Sequence, residues 1–354
     1  MNMAFRATVL TAASLLLVSL TQCNAQTPAP PVANAACVPL TAFYPSWRHQ
    51  AYPVAKVDWT TLDGIATGFV LPRADGSLNT DEVAPYLKDL VTQAHAHNDL
   101  VYVSIGGAAG YDDAFQQIAR DPVRRARFVA EVRQLVETYQ IDGIDLDWEY
   151  WTWQHSQNKG GRDPDESPLL GILLKELRAG LPQSVKLSVD IFAGDWTGAQ
   201  YTADIQDHVD HVNLMAYDFT GAWASSPVGH HSSFDMVQKA VAWAEKNGFK
   251  HDKIWLGQPA YGIEFPDGKA LSAKHVPYNE IAERLKYDPT ALAKGKSGHL
   301  WFDSADISRR KSAWAAEHGL SGVFFFELTT DADGEHSLIR AARTGLGQRQ
   351  CAGD

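Results

Sequence analysis

The chain has 354 residues, of which 45% are hydrophobic and 21% charged. That composition belongs to a globular protein with a large core and excludes a disordered or fibrous one. The formal net charge of -11 argues against nucleic acid or an anionic membrane as partner, because either would repel such a surface. The densest basic run, Arg124-Arg125-Ala-Arg127, falls on a predicted helix and reads as a solvated face.

At the N-terminus Arg6 precedes an apolar run from Ala7 to Leu20, and a polar stretch then ends at Ala25. The run is short for a membrane span, so residues 1–25 read as a secretory signal peptide and 26–37 as a flexible segment. Residues 38–354 are then expected to form one domain, secreted or periplasmic and free of the membrane. A lipid anchor at Cys23 is the minor alternative, since Gln22 stands where a lipoprotein site wants a small residue. Export permits a disulfide between Cys37 and Cys351, although the spacing fits two free thiols as well.

From Leu40 onward short apolar runs alternate with segments of helical period, the pattern of a parallel sheet with crossover helices. The strands are predicted at 40–44, 64–70, 100–105, 141–149, 185–191, 211–216, 253–258 and 321–326. Val83, Leu87, Leu90, Val91 and Ala94 fall on one helical stripe. Asp121-Pro122 supplies an N-cap and a first-turn proline for another helix, which carries Val129, Val132, Leu135, Val136 and Tyr139. Eight such units predict a single (β/α)₈ TIM barrel. Between Gln258 and Ser321 the interval exceeds what one helix needs, and Leu300-Trp-Phe302 is expected to form a small hairpin there.

Within the fourth predicted strand, Asp145, Asp147 and Glu149 alternate with Ile144, Leu146 and Trp148. A period of two puts all three acids on one face, and in a barrel that face points inward. Acids crowded on an interior strand have their pKa values pushed apart, which lets one site hold both a proton donor and an anion near neutrality. Glu149 comes last and is expected nearest the C-terminal mouth, where barrel active sites lie.

Asp142-x-x-Asp145-x-Asp147-x-Glu149 resembles the signature of glycoside hydrolase family 18, which includes many chitinases. Companion stretches follow in the family's order: Ala42-Phe-Tyr-Pro-Ser-Trp47, Ser104-Ile-Gly-Gly107, Met215-Ala-Tyr-Asp218, Pro259-Ala-Tyr-Gly262 and Gly322-Val-Phe-Phe-Phe-Glu327. The resemblance implies a retaining, substrate-assisted glycosidase acting on β-1,4-linked N-acetylglucosamine polymers, with no metal or organic cofactor and as a monomer. Glu149 would be the acid/base, Asp147 would hold the acetamido N–H, and Tyr217 would bond the acetamido oxygen with Asp218 assisting. Asp145 would share a proton or hydrogen bond with Asp147, supported by Ser104 and Tyr44, while Asp142 would be structural. Tyr261 and Phe326 join the substrate-binding set, Phe326 standing where the family commonly has tryptophan.

Trp47, Trp151, Trp153, Trp223 and Trp301 are either sugar-stacking platforms or ordinary packing, with Trp223 the leading candidate and Trp151 in the place of a common proline. Asp190 is a further departure from the family, predicted to share the inner face with Ser188, and Gln258 replaces a common apolar residue. The histidine pairs 95/97, 208/211 and 230/231 lack metal-ligand partners and read as surface or loop residues. The interval after Tyr261 is too short for a large chitinase insertion domain, so a shallow groove and endo action are expected. Two alternatives use the same motifs: an endo-β-N-acetylglucosaminidase on N-glycans or peptidoglycan, and a non-catalytic chitin-binding lectin, which the intact Glu149 disfavours.

Overall fold

The structure, a computed structural model, describes residues 37–108, 114–149, 167–195 and 198–347. Eight parallel strands form the centre: Leu40–Pro45, Gly64–Pro72, Leu100–Gly106, Gly143–Asp147, Lys186–Phe192, His211–Met215, Ile254–Pro259 and Gly322–Phe326. Each pairs with the next, and the first pairs with both the second and the eighth, so the sheet closes into a barrel. The predicted strands all appear, most within a residue or two of the expected ends. The fourth is shorter, because its ladder stops where Asp147 meets Gly106.

Helices cover the outer face. On Ser167–Gly180, Leu170, Leu173, Leu174 and Leu177 recur at helical spacing and are fully buried. Burying each contributes about 1.5–3 kcal/mol relative to leaving it in water. The predicted cap at Asp121 is present: its Oδ1 accepts the Val123 N–H at 2.8 Å and starts the helix Pro122–Tyr139.

At the lower end one device recurs on alternate strand pairs. Asp63, just before the second strand, accepts the Leu40 N–H of the first through Oδ2 at 2.8 Å and donates its own N–H to the Leu40 carbonyl. Asp142 does the same with Val101 of the third strand, and Asp210 with Leu187 of the fifth. Before the eighth strand Ser321 donates both its N–H and its hydroxyl to the Ile254 carbonyl of the seventh. Asp142 thus ties the fourth strand to the third at the opposite end from Glu149.

After the seventh strand the chain builds a small antiparallel sheet from Tyr261–Glu264, Lys274–Pro277, Lys296–Ser297 and Leu300–Trp301, with two short helices between. The expected hairpin is thus half of a four-stranded sheet, still no large insertion domain. Gln258 is fully buried on the outer side of its strand, bonded to Ser312 and Ser308 of the helix Ala305–Glu317. It plays no part in the barrel interior.

Candidate active site

The third strand ends on Gly106 and Gly107, both at positive φ, and a Cβ on Gly106 would sit 2.1 Å from the Asp147 carbonyl oxygen. Only glycine permits that approach, and it lets the Gly107 N–H bond the Asp147 carbonyl at 2.8 Å. The fourth strand is thereby pinned just before it delivers Trp148 and Glu149. Trp148 turns outward into the core against Phe115. The acids line a cavity of about 290 Å³ in the barrel mouth, together with Tyr217, Tyr261 and Phe326.

Asp145 is held from three strands. Ser104 Oγ donates to its Oδ2 at 2.9 Å, and Ser188 Oγ and Asn213 Nδ2 donate to its Oδ1 at 2.6 and 3.0 Å. Asp190, on the inner face of the fifth strand as expected from its parity with Ser188, adds a carboxyl hydrogen bond to Asp145. Asp147 is bonded instead to Glu149, and its Oδ1 is buried with no partner among the described residues.

Burial, then mutual repulsion, pushes Asp147 and Asp190 well above the ordinary carboxylate range. Glu149 is raised to about 7, chiefly by burial, although its hydrogen bond with Asp147 pulls the other way. Burial raises Asp145 as well, although the hydrogen bonds from Ser188, Asp190, Ser104 and Asn213 oppose the rise. Protonated Asp190 and Asp147 thus share the site with a Glu149 poised near neutrality, an arrangement suited to general acid chemistry.

The family model for glycosyl hydrolases family 18 matches residues 40–331. This chain is a member of family 18. A chitinase-like effector of Moniliophthora roreri is 28% identical over 90% of this chain and 79% of its own length. Chitinase 1 of Aphanocladium album is 27% identical over 83% and 82%. The Group IV chitinase of Ostrinia furnacalis, solved with allosamidin, has the same fold: its TM-score is 0.75 at 21% identity, over 87% of this chain and 98% of that one.

Against the family 18 resemblance the site makes several corrections. Tyr44 does not support Asp145: it faces outward, fully buried, and donates its hydroxyl to the Tyr52 carbonyl at 2.5 Å. Thr41 and Phe43 are the inward residues of that strand. Asp145 is partnered by Asp190 where Asp147 was expected. Trp223 lies half-buried against Gly221 and does not line the cavity. Trp47 is 55% exposed beyond the first strand, stacked on Phe69 at 6.1 Å, while Trp301 sits in the small sheet beside His299. Trp151, Trp153, Cys351 and the predicted leader lie outside the described residues. Cys37 is disulfide-bonded, and its partner is likewise outside them.

Two histidines read as surface or loop residues are buried. His211 stacks on Trp255 at 3.8 Å on the cavity floor, where burial lowers its pKa to about 3 and keeps it neutral. His231 contacts Asp218 Oδ1 at 3.1 Å and the Tyr261 carbonyl at 3.2 Å. Tyr261 donates its hydroxyl to the same Asp218 oxygen at 2.8 Å. Burial works to raise the Asp218 pKa, yet His231, His275 and Tyr261 hold it below the ordinary value. Asp218 itself has φ of 56°, a left-handed turn that aims Tyr217 into the cavity beside Phe326. Ser232 Oγ ties this turn through the Ala216 carbonyl at 2.7 Å, and buried Lys311 bonds Ser232 and Asp303 behind it.

Proposed function

We propose that the protein hydrolyses β-1,4-linked N-acetylglucosamine chains, chitin and chitooligosaccharides, with retention and by internal cleavage, as an exported enzyme. The observation that carries this reading is the inward run Asp145, Asp147 and Glu149 opening on a cavity shared with Tyr217 and Asp218. Glu149 keeps its proton up to about pH 7 and donates it to the glycosidic oxygen as the C–O bond breaks. The substrate's own acetamido oxygen forms the new bond to the anomeric carbon and gives an oxazolinium ion. Asp147 Oδ1, unpartnered in the free site, accepts the acetamido N–H. Tyr217, whose hydroxyl stays protonated because burial raises its pKa well above the ordinary value, donates to the acetamido oxygen. Water then attacks the anomeric carbon, returns a proton to Glu149 and restores the acetamido group with net retention.

The names of the relatives support the substrate class. The small sheet after the seventh strand, in place of a large insertion domain, supports a shallow groove and internal cuts. The test is product analysis on chitohexaose, a glycopeptide and peptidoglycan, with Glu149→Gln beside the wild type. Removing the transferable proton lowers turnover by roughly 10²–10⁴-fold while oligosaccharide binding persists. Near-wild-type turnover in that variant, or cleavage of a cellooligosaccharide lacking the acetamido group, overturns the assignment; binding of chitohexaose without cleavage by the wild type marks a lectin.

A further inference from the structure

Asp190 is a carboxyl that the proposed reaction leaves unused, yet it lines the cavity and is only 8% exposed. Its position follows from the register: Asp145 pairs with Ser188, so Asp190, two residues further along the fifth strand, stands on the same inner face one step nearer the mouth. Asp145 and Asp147 of the fourth strand, and Glu149 just beyond its end, face it. From the sixth strand and its loop come His211, Asn213 and Tyr217. Neutral His211 brings no positive charge, and no Lys or Arg lines the cavity among the described residues.

A fifth carboxyl of the lining, Asp218, is held below its ordinary value by His231, His275 and Tyr261, and it adds to the repulsion on Glu149. The other four, with no Lys or Arg beside them among the described residues, can share this space only by sharing protons. The hydrogen bonds divide them into two couples, Asp190 with Asp145 and Asp147 with Glu149. Resting on the reading of function above, we propose that Asp190 is a positioning residue: it donates a hydrogen bond that satisfies Asp145 and so leaves Asp147 turned toward Glu149. Without that donor, Asp147 is the nearest protonated carboxyl on the same strand face, and Asp145 draws it away. Glu149 then loses the hydrogen bond that favours its ionised form, and the acetamido N–H loses its acceptor.

The experiment compares wild type, Asp190→Ala and Asp190→Asn on chitopentaose across pH 4 to 9. Asp190→Ala is expected to lower kcat at least tenfold, with KM changed less than the turnover, and to move the alkaline limb upward by about half a unit or more, since Glu149 is released from Asp147. Asp190→Asn, whose amide supplies the donor without a proton, restores the limb to its wild-type position and recovers at least a third of kcat. A limb unmoved in Asp190→Ala overturns the proposal, as does an Asn variant displaced as far as the Ala variant, because a packing role would affect both without touching the titration. Infrared difference spectra of wild type against the isosteric Asp190→Asn at pH 7 give a second measure that needs neither turnover nor the Ala variant to fold. A protonated-carboxyl stretch lost in the variant supports the assignment, and a carboxylate stretch in its place refutes it. If the wild type cuts no chitooligosaccharide, the functional reading fails while the infrared result still decides the proton on Asp190.

Discussion

Lys311 is wholly buried, its ammonium shared between Asp303, 1% exposed, and Ser232. Replacing it with methionine keeps the volume of the stem but leaves the Asp303 carboxyl buried without its cation, with the His230 contact at 3.5 Å as its remaining side-chain partner among the described residues. Breaking one side of a buried pair costs about 3–5 kcal/mol. Unfolding entropy of about 2.1 cal/mol/K per residue amounts to about 0.7 kcal/mol/K for a chain of this length, so Tm is expected to fall by about 4–7 °C. Asp303→Asn in the same background removes the orphaned charge and returns about half of that loss. Differential scanning calorimetry at pH 7 on the two single variants and the double variant measures all three shifts. A Lys311→Met protein melting within about 1 °C of the wild type refutes the reasoning. So does a double variant whose loss is the sum of the singles, since that leaves no coupling between the two groups.

Glu149 is raised from 4.5 to about 7 on folding, so it contributes stability that is fully present below pH 4.5 and is lost as pH rises through about 7. The wild-type Tm should therefore drop more steeply between pH 5 and pH 8 than that of Glu149→Gln, while the opposing effect of His211, whose pKa is lowered to about 3, is common to both proteins. Parallel curves in the two proteins would contradict this. Tyr261→Phe removes the 2.8 Å bond to Asp218 and is expected to lower kcat/KM on chitopentaose by roughly ten- to hundredfold, the equivalent of one hydrogen bond to a charged group. An unchanged kcat/KM would mean that Asp218 needs no orientation from that side.

The barrel was legible because eight β-branched and apolar runs are each bounded by turn residues, and each formed where its run lies. The parity of the fourth and fifth strands was also legible. Polar Asp145, Asp147, Ser188 and Asp190 alternate with Ile144, Leu146, Leu187 and Val189, and the contrast marks the inner face. The first strand offers no such contrast. Leu40, Ala42 and Tyr44 on one side and Phe43 on the other are all apolar or aromatic, and Thr41 alone marks the inner face, so the strand pattern does not overrule the inward Tyr44 that the family resemblance implies. The couple Asp190–Asp145 was illegible in a different way, because a strand pattern says which side chains share a face and not which oxygens meet. His231 sits 30 residues from Tyr261, and only the path of the intervening loop and helix brings them together.

The aspartates at the feet of the second, fourth and sixth strands have a consequence for how the barrel comes apart. Each staples its strand to the one before it, and Ser321 closes the last couple, so the eight strands behave as four doublets. Of the seams between doublets, the one between the sixth and seventh strands is bridged by Lys253, whose ammonium donates to the Val209 and Asp210 carbonyls; the other three have ladder bonds but no such staple among the described residues. Local opening is expected to start at the three unstapled seams, where amide exchange at the lower rim should be fastest. The third and fourth strands form one doublet, which carries Ser104, Gly106, Asp145 and Asp147, so the first half of the reactive centre travels as a unit when its neighbours loosen.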